Sequence, residues 1–144
     1  MSLKVELKPG ERIIVGECVI TNADQRTRLL IDGVVPILRE KDIMTAELAD
    51  TPAKRIYLAV QLMYTAKDPQ AHHELYFGLI RDLTQAAPSM WPHVESINNQ
   101  ILTGEMYKAL KEARKLIAHE REFLSHASSS EGLRPSRKPD SQSA

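Results

Sequence analysis

The chain has 144 residues, and its 19 Lys and Arg balance 19 Asp and Glu, so the formal net charge is zero. That balance excludes gripping nucleic acid by bulk positive charge, though not by a local basic patch. An aromatic content of 5% leaves little material for recognition built on base stacking alone. The single cysteine, Cys18, excludes an internal disulfide and suits a reducing compartment. No apolar run nears the ~20 residues needed to cross a bilayer, and the opening MSLKVELKPGE lacks the apolar centre of a signal peptide. A soluble cytoplasmic protein is therefore expected.

The first 45 residues have the texture of strands. In LKVEL, Leu3, Val5 and Leu7 alternate with Lys4 and Glu6, which places the apolar side chains on one face. KPGE reads as a tight turn. RIIVG and ECVIT are two Ile- and Val-rich strands, with Gly16 between them as a bulge or close turn. NADQ supplies the next turn. RTRLLID and VVPILRE follow, separated by Asp32-Gly33, a strong hairpin signal. Pro36 belongs on an edge or at a bulge, because it cannot donate to a ladder. The expected result is a small five-stranded antiparallel sheet or barrel over residues 1–45. Its edges need cover, so a homo-oligomer is expected, most simply a dimer paired through the strands.

Residues 46–126 read as helices, making the whole chain α+β. Thr51 is a plausible N-cap, with Pro52 at the first helical position and Ile56, Val60 and Met63 as a buried stripe. Asp68-Pro69 ends that helix and begins the next, which runs to about Ala87 with Leu75, Leu79, Leu83 and Ala86 at helical spacing and Tyr76 and Ile80 beside them. A shorter helix after Pro92 carries Val94, Ile97 and Ile101. A last one runs from about Glu105 to His126, with Met106, Leu110, Ala113, Ile117 and Leu124 as its stripe. Residues 127–144 are rich in Ser and Pro and read as a disordered tail carrying Arg134, Arg137 and Lys138.

Catalytic patterns do not emerge. His72 and His73 are adjacent and diverge by about 100° on a helix, and His119 and His126 are two turns apart, so neither pair makes a metal site. Cys18 reads as a small buried or half-buried side chain with no basic neighbour to activate it. No nucleophile elbow or phosphate loop is present. No enzyme, cofactor or metal is expected. Two basic clusters remain. Lys108, Lys111 and Lys115 share a helix face, with Arg114 about 60° from Lys111; they form either a solvated face or a phosphate-contacting stripe. Arg26 with Arg28, and Arg39 with Lys41, lie two apart, as side chains on one strand face do. They either pair with neighbouring carboxylates, such as Glu40, Asp42, Glu11 or Glu17, or hold a phosphate or guanine edge.

Several separated blocks, in order, resemble the FlbT family of alphaproteobacterial flagellar regulators: LKVELKPGERIIVGECVITNADQRTRLLIDGVVPILREKDI, TPAKRIYLAVQLMY, INNQILTG and YKALKEARKLIAHE. The likeness covers about Leu3 to Phe123. It implies a post-transcriptional regulator of flagellin synthesis that binds the 5′ leader of flagellin mRNA, represses translation or promotes decay, and works alongside a small partner, FlaF. The first module alone, through GERIIVGECVIT and LLIDGVVPILREKDI, is similar in pattern to the translational repressor CsrA. That likeness implies an intertwined dimer that holds GGA-bearing RNA loops at its sheet edges. Arg39 matches the arginine of its last strand, Lys8 matches its basic pair in part, and Leu7 does not match. The RNA-binding expectation thus rests on Arg39, Lys41, Arg26, Arg28, Lys8, Lys108, Lys111 and Lys115. The alternative is an adaptor or chaperone for flagellin or FlaF, acting through an exposed apolar patch on the helices near Tyr57, Tyr64, Tyr76 or Trp91.

Overall fold

Alternating apolar residues build the strand half of the chain in the computed structural model, which describes residues 2–133, with side chains through 127. Strand β1 (Ser2–Leu7) pairs antiparallel with β4 (Thr27–Asp32), Val5 opposite Leu29. Strand β2 (Arg12–Val15) is flanked by β3 (Cys18–Thr21) and β5 (Ile37–Arg39), both antiparallel to it. The five strands therefore form two sheets, β1-β4 and β3-β2-β5, rather than one.

The reason for the split lies in the turns. Gly16 has φ +63° and closes a two-residue connection between β2 and β3, so it is a tight turn and not a bulge. After β3, Asn22 donates its side-chain amide to the carbonyls of Leu7, Lys8 and Gln25. This ties the chain to the end of β1, so β4 lies down beside β1 and does not fold back on β3. Asp32-Gly33 does mark a turn, with Gly33 at φ +118°, but the strands either side of it join different sheets. Leu29, Ile31 and Ile37 all pack on the cluster of Val5, Leu7 and Ile13 between the sheets, so residues 33–36 cross from one sheet to the other. Pro36 sits just before β5, and its carbonyl accepts from the Gly16 amide at 2.8 Å.

Strand β2 and strand β5 each have two buried faces. Ile13, Val15 and Ile37 face the first sheet, whereas Ile14 and Leu38 join the core of the helices. The molecule is thus layered: the β1-β4 sheet, the β3-β2-β5 sheet, then the helices. Strand β3 is outermost and wholly exposed, so Cys18, expected to be at least half-buried, lies at the surface.

Helix α1 (Pro52–Thr65) begins as its residues require: Thr51 Oγ1 accepts from the Lys54 amide, and Pro52 opens the first turn. Ile56, Val60 and Met63 are buried as expected, and so is Tyr57. Helix α2 (His73–Ala86) follows a short turn capped by Asp68. Its buried face is Tyr76, Ile80, Leu83 and the following Ala87; of the expected stripe Leu83 is buried, Leu79 packs partly buried against the core and Leu75 is exposed. Apolar residues occupy both adjacent faces, and packing against α1 selects the buried one; the Tyr76 hydroxyl also donates to Asn98 of α3 (Trp91–Leu102) at 2.6 Å.

Helix α4 (Met106–Leu133) packs through Ala109, Leu110, Ala113, Leu116 and Glu120, while Leu124 is exposed. It continues to Leu133, past the expected stop at His126, because extending a formed helix needs no new nucleus. The tail cations Arg134, Arg137 and Lys138 lie outside the described residues. Among the described residues no helix is long and apolar enough to cross a membrane.

Candidate nucleic-acid interface at the open edge of strand β5

Strand β5 pairs on one side only, with β2. Along its other side runs a groove of about 430 Å³, lined by Leu3, Val35, Ile37, Arg39, Lys41, Asp42, Tyr64, Tyr107 and Arg114. Four segments distant in sequence build it: the start of β1, the β5 edge with the residues either side of it, helix α1, and the first turns of α4.

Tyr64, near the end of α1, is the backstop. Its hydroxyl accepts from the Ile37 amide at 3.3 Å and donates to the Ile37 carbonyl at 3.2 Å, which satisfies the edge strand where no neighbouring strand does. Burial pushes the Tyr64 phenol above its usual pKa, so it adds no negative charge to the groove. Tyr107 of α4 stands against it, with ring centroids 5.8 Å apart and planes tilted by 46°. Lys111, one turn further along α4, holds its ammonium 5.0 Å from the Tyr107 ring centroid.

Arg114, two turns after Tyr107, is held internally. Its guanidinium pairs with Asp42 and donates to the Tyr57 hydroxyl, which itself donates to the Asp42 carbonyl at 2.6 Å. Burial opposes the charge on Arg114, but the Tyr57 hydroxyl and the Asp42 carboxylate outweigh it, and the net shift is upward. This knot fastens the turn after β5 to α1 and α4.

Arg39 and Lys41 are different. Both are exposed, both line the groove, and no ion pair holds either among the described residues. The strand does not continue to Lys41: it ends at Arg39, and residues 40–42 form a single tight turn. The two cations therefore share the groove without sharing a strand face. Glu40, between them, is turned away to Arg12, whose backbone amide and guanidinium both donate to its carboxylate.

The other expected contacts are not gathered here. Arg26 and Arg28 both pair with Glu6 across the β1-β4 sheet, at 3.1 and 3.5 Å. Lys8 lies in the turn after β1, at the opposite end of that strand from Leu3. Lys115 pairs with Glu112 at 3.1 Å. Lys108, Lys111 and Lys115 do form one face of α4, but the α4 residues that line the groove are Tyr107 and Arg114; of the three lysines, Lys111 comes nearest, through its contact with the Tyr107 ring. Tyr64 and Tyr107 are the groove residues that reading for cations overlooked. The spacing Tyr107, Lys111, Arg114 puts them on one helix face; that this face meets β5 is not visible locally. Among the described residues no group of three or more His, Cys, Asp or Glu is placed to hold a metal ion. His119 meets His93 instead, ring centroids 4.6 Å apart.

The profile of the family described as "Flagellar protein FlbT" matches residues 3–124. "Probable flagellum biosynthesis repressor protein FlbT 1" of Bradyrhizobium diazoefficiens is 68% identical over 121 residues, covering 83% of each chain. A "Probable flagellum biosynthesis repressor protein FlbT" of Rhodopseudomonas palustris is 58% identical over 125 residues, 87% of this chain and 99% of the relative. The "Flagellum biosynthesis repressor protein FlbT" of Caulobacter vibrioides is 35% identical over 139 residues, 90% of this chain and 94% of the relative. No solved structure gives a significant match. With the match running through both the strands and the helices, the chain belongs to the FlbT family of flagellar proteins.

Proposed function

We propose that this protein is a repressor of flagellum biosynthesis that acts after transcription, by binding the 5′ leader of flagellin mRNA in the groove along β5. The relatives' names supply the flagellar role. The observation that supports RNA as the ligand is Arg39: a guanidinium exposed on an open sheet edge, unpaired, beside a second unpaired cation and two tyrosines. Sheet edges of this kind suit unpaired RNA, whose base edges and phosphates are both accessible. Occluding a leader requires no bond-breaking chemistry, and the groove offers no nucleophile dyad to perform any. The proposed site of action is the cytoplasm, where the transcript is translated.

The test is binding of purified protein to a flagellin leader and to a scrambled RNA of equal length. The leader should bind more tightly, and affinity should fall as salt rises. Arg39→Ala should cost about 1–3 kcal/mol of that affinity. Equal affinity for leader and scrambled RNA overturns the reading.

A second reading has its own observation. An apolar hollow between α2 and α3, of about 250 Å³, is lined by His73, Tyr76, Phe77, Asn98, Ile101 and Leu102, with Leu102 82% exposed. Such a surface suits a protein partner, FlaF or flagellin. Of the residues expected near an adaptor patch, Tyr57 and Tyr76 are buried, Tyr64 lines the β5 groove and Trp91 is exposed; the hollow adjoins Tyr76, and its exposed apolar residues are Phe77 and Leu102. Capture of either partner that survives ribonuclease and is lost in Leu102→Asp would favour it.

A further inference from the structure

We infer that Tyr107, on the helical half of the chain, is a ligand contact that stacks one unpaired base, so that the RNA site is composite and not confined to the strands. The inference rests on the RNA reading above and assigns the groove's internal division of labour. Each lining group is either committed or available. The Arg114 guanidinium is committed to Asp42 and Tyr57, and the Tyr64 hydroxyl to the Ile37 backbone. These two shape the groove. Arg39, Lys41 and Tyr107 are exposed lining residues, and the Tyr107 hydroxyl has no hydrogen-bond partner among the described residues; Lys111, also exposed, reaches the Tyr107 ring from just outside the lining.

An aromatic ring flanked by cations carries the two attractions that unpaired nucleotides answer: stacking on the ring and charge for the adjoining phosphates. The Lys111 ammonium now rests over the Tyr107 ring on a flexible stem. A base arriving at that face displaces the ammonium toward its own phosphate, where the positive charge is better matched. Tyr64, anchored through its hydroxyl to the Ile37 backbone, packs against the same ring, with centroids 5.8 Å apart. A cavity of about 430 Å³ has the size of a small-molecule site, enough for a single nucleotide and far too small for a duplex. Arg114 is a positioning residue: it holds α4 against the turn that carries Lys41.

The experiment measures binding of a fluorescently labelled flagellin leader to the full-length protein, wild type, Tyr107→Ala and Tyr107→Phe, across a salt series. Tyr107→Ala should weaken binding about tenfold or more, while Tyr107→Phe, which keeps the stacking face, stays within about threefold of wild type. The salt slope of Tyr107→Ala should match wild type, because no charge is removed. As a second measurement on the unmodified protein, leader RNA carrying 5-iodouridine should photocrosslink to a peptide containing Tyr107. Wild-type protein that binds the leader, with Tyr107→Ala unchanged or crosslinks mapping only outside α4, overturns this inference and leaves the RNA reading standing. Wild-type protein that does not distinguish leader from scrambled RNA overturns the RNA reading itself.

Discussion

Arg39 and Arg114 border the same groove, yet only Arg39 has its guanidinium free for a ligand. Arg114 is matched by a carboxylate with a side chain only 10% exposed, so replacing it leaves Asp42 partly buried without its cation. Arg114→Ala should therefore lower the melting temperature, whereas Arg39→Ala should leave it unchanged and affect binding alone; thermal unfolding of both variants checks this. Glu40 shows the same logic in pH. The hydrogen bonds from Arg12 hold its carboxyl below the usual range. A group whose folded pKa is depressed adds stability above its unfolded pKa and loses it as pH falls through the folded value. Glu40→Gln should accordingly flatten the loss of stability on acidification below about pH 4.5, read by denaturant titrations at stepped pH.

At the scale of elements, helix starts were legible because they depend on neighbours in sequence. Thr51-Pro52 caps α1, and Asp68 caps the turn before α2, each through a bond within three residues. The buried faces of α2 and α4 were less legible, since each helix has apolar residues on adjoining faces and only the packing partner selects one. Glu120 is the clearest case. It reads as a surface charge, but it is 4% exposed, and its Oε2 accepts from the Ala53 amide at 2.9 Å, serving the N-terminus of a helix 67 residues away. Glu120→Ala should cost about 1–3 kcal/mol in chemical denaturation, with Glu120→Gln costing less because an acceptor remains.

At the scale of the molecule, the strand half carries an exposed apolar surface. Val19 is 61% and Leu30 64% exposed, Ile20 joins them, and β3 has a strand on one side only. An open, apolar edge favours pairing with another copy. The chain is expected to elute as a homodimer by size-exclusion chromatography with light scattering, and Ile20→Lys on β3 to shift it toward monomer; a monomeric wild type would refute the strand-paired dimer.

What the sequence determined by itself was whatever period and punctuation encode. This covers the strand half followed by the helical half, the inward face of Leu3, Val5 and Leu7, the cap at Thr51, and Arg39 at the end of an apolar strand. The tertiary structure alone decided that β4 and β5 separate into two sheets, that Arg26 and Arg28 are satisfied by Glu6, and that Tyr64 and Tyr107 meet beside Arg39. Few aromatics argued against stacking in the composition, yet two of them converge on one groove. Local pattern reports which residues prefer burial or a turn; which distant surfaces are pressed together depends on how the whole chain closes its two cores around strands β2 and β5.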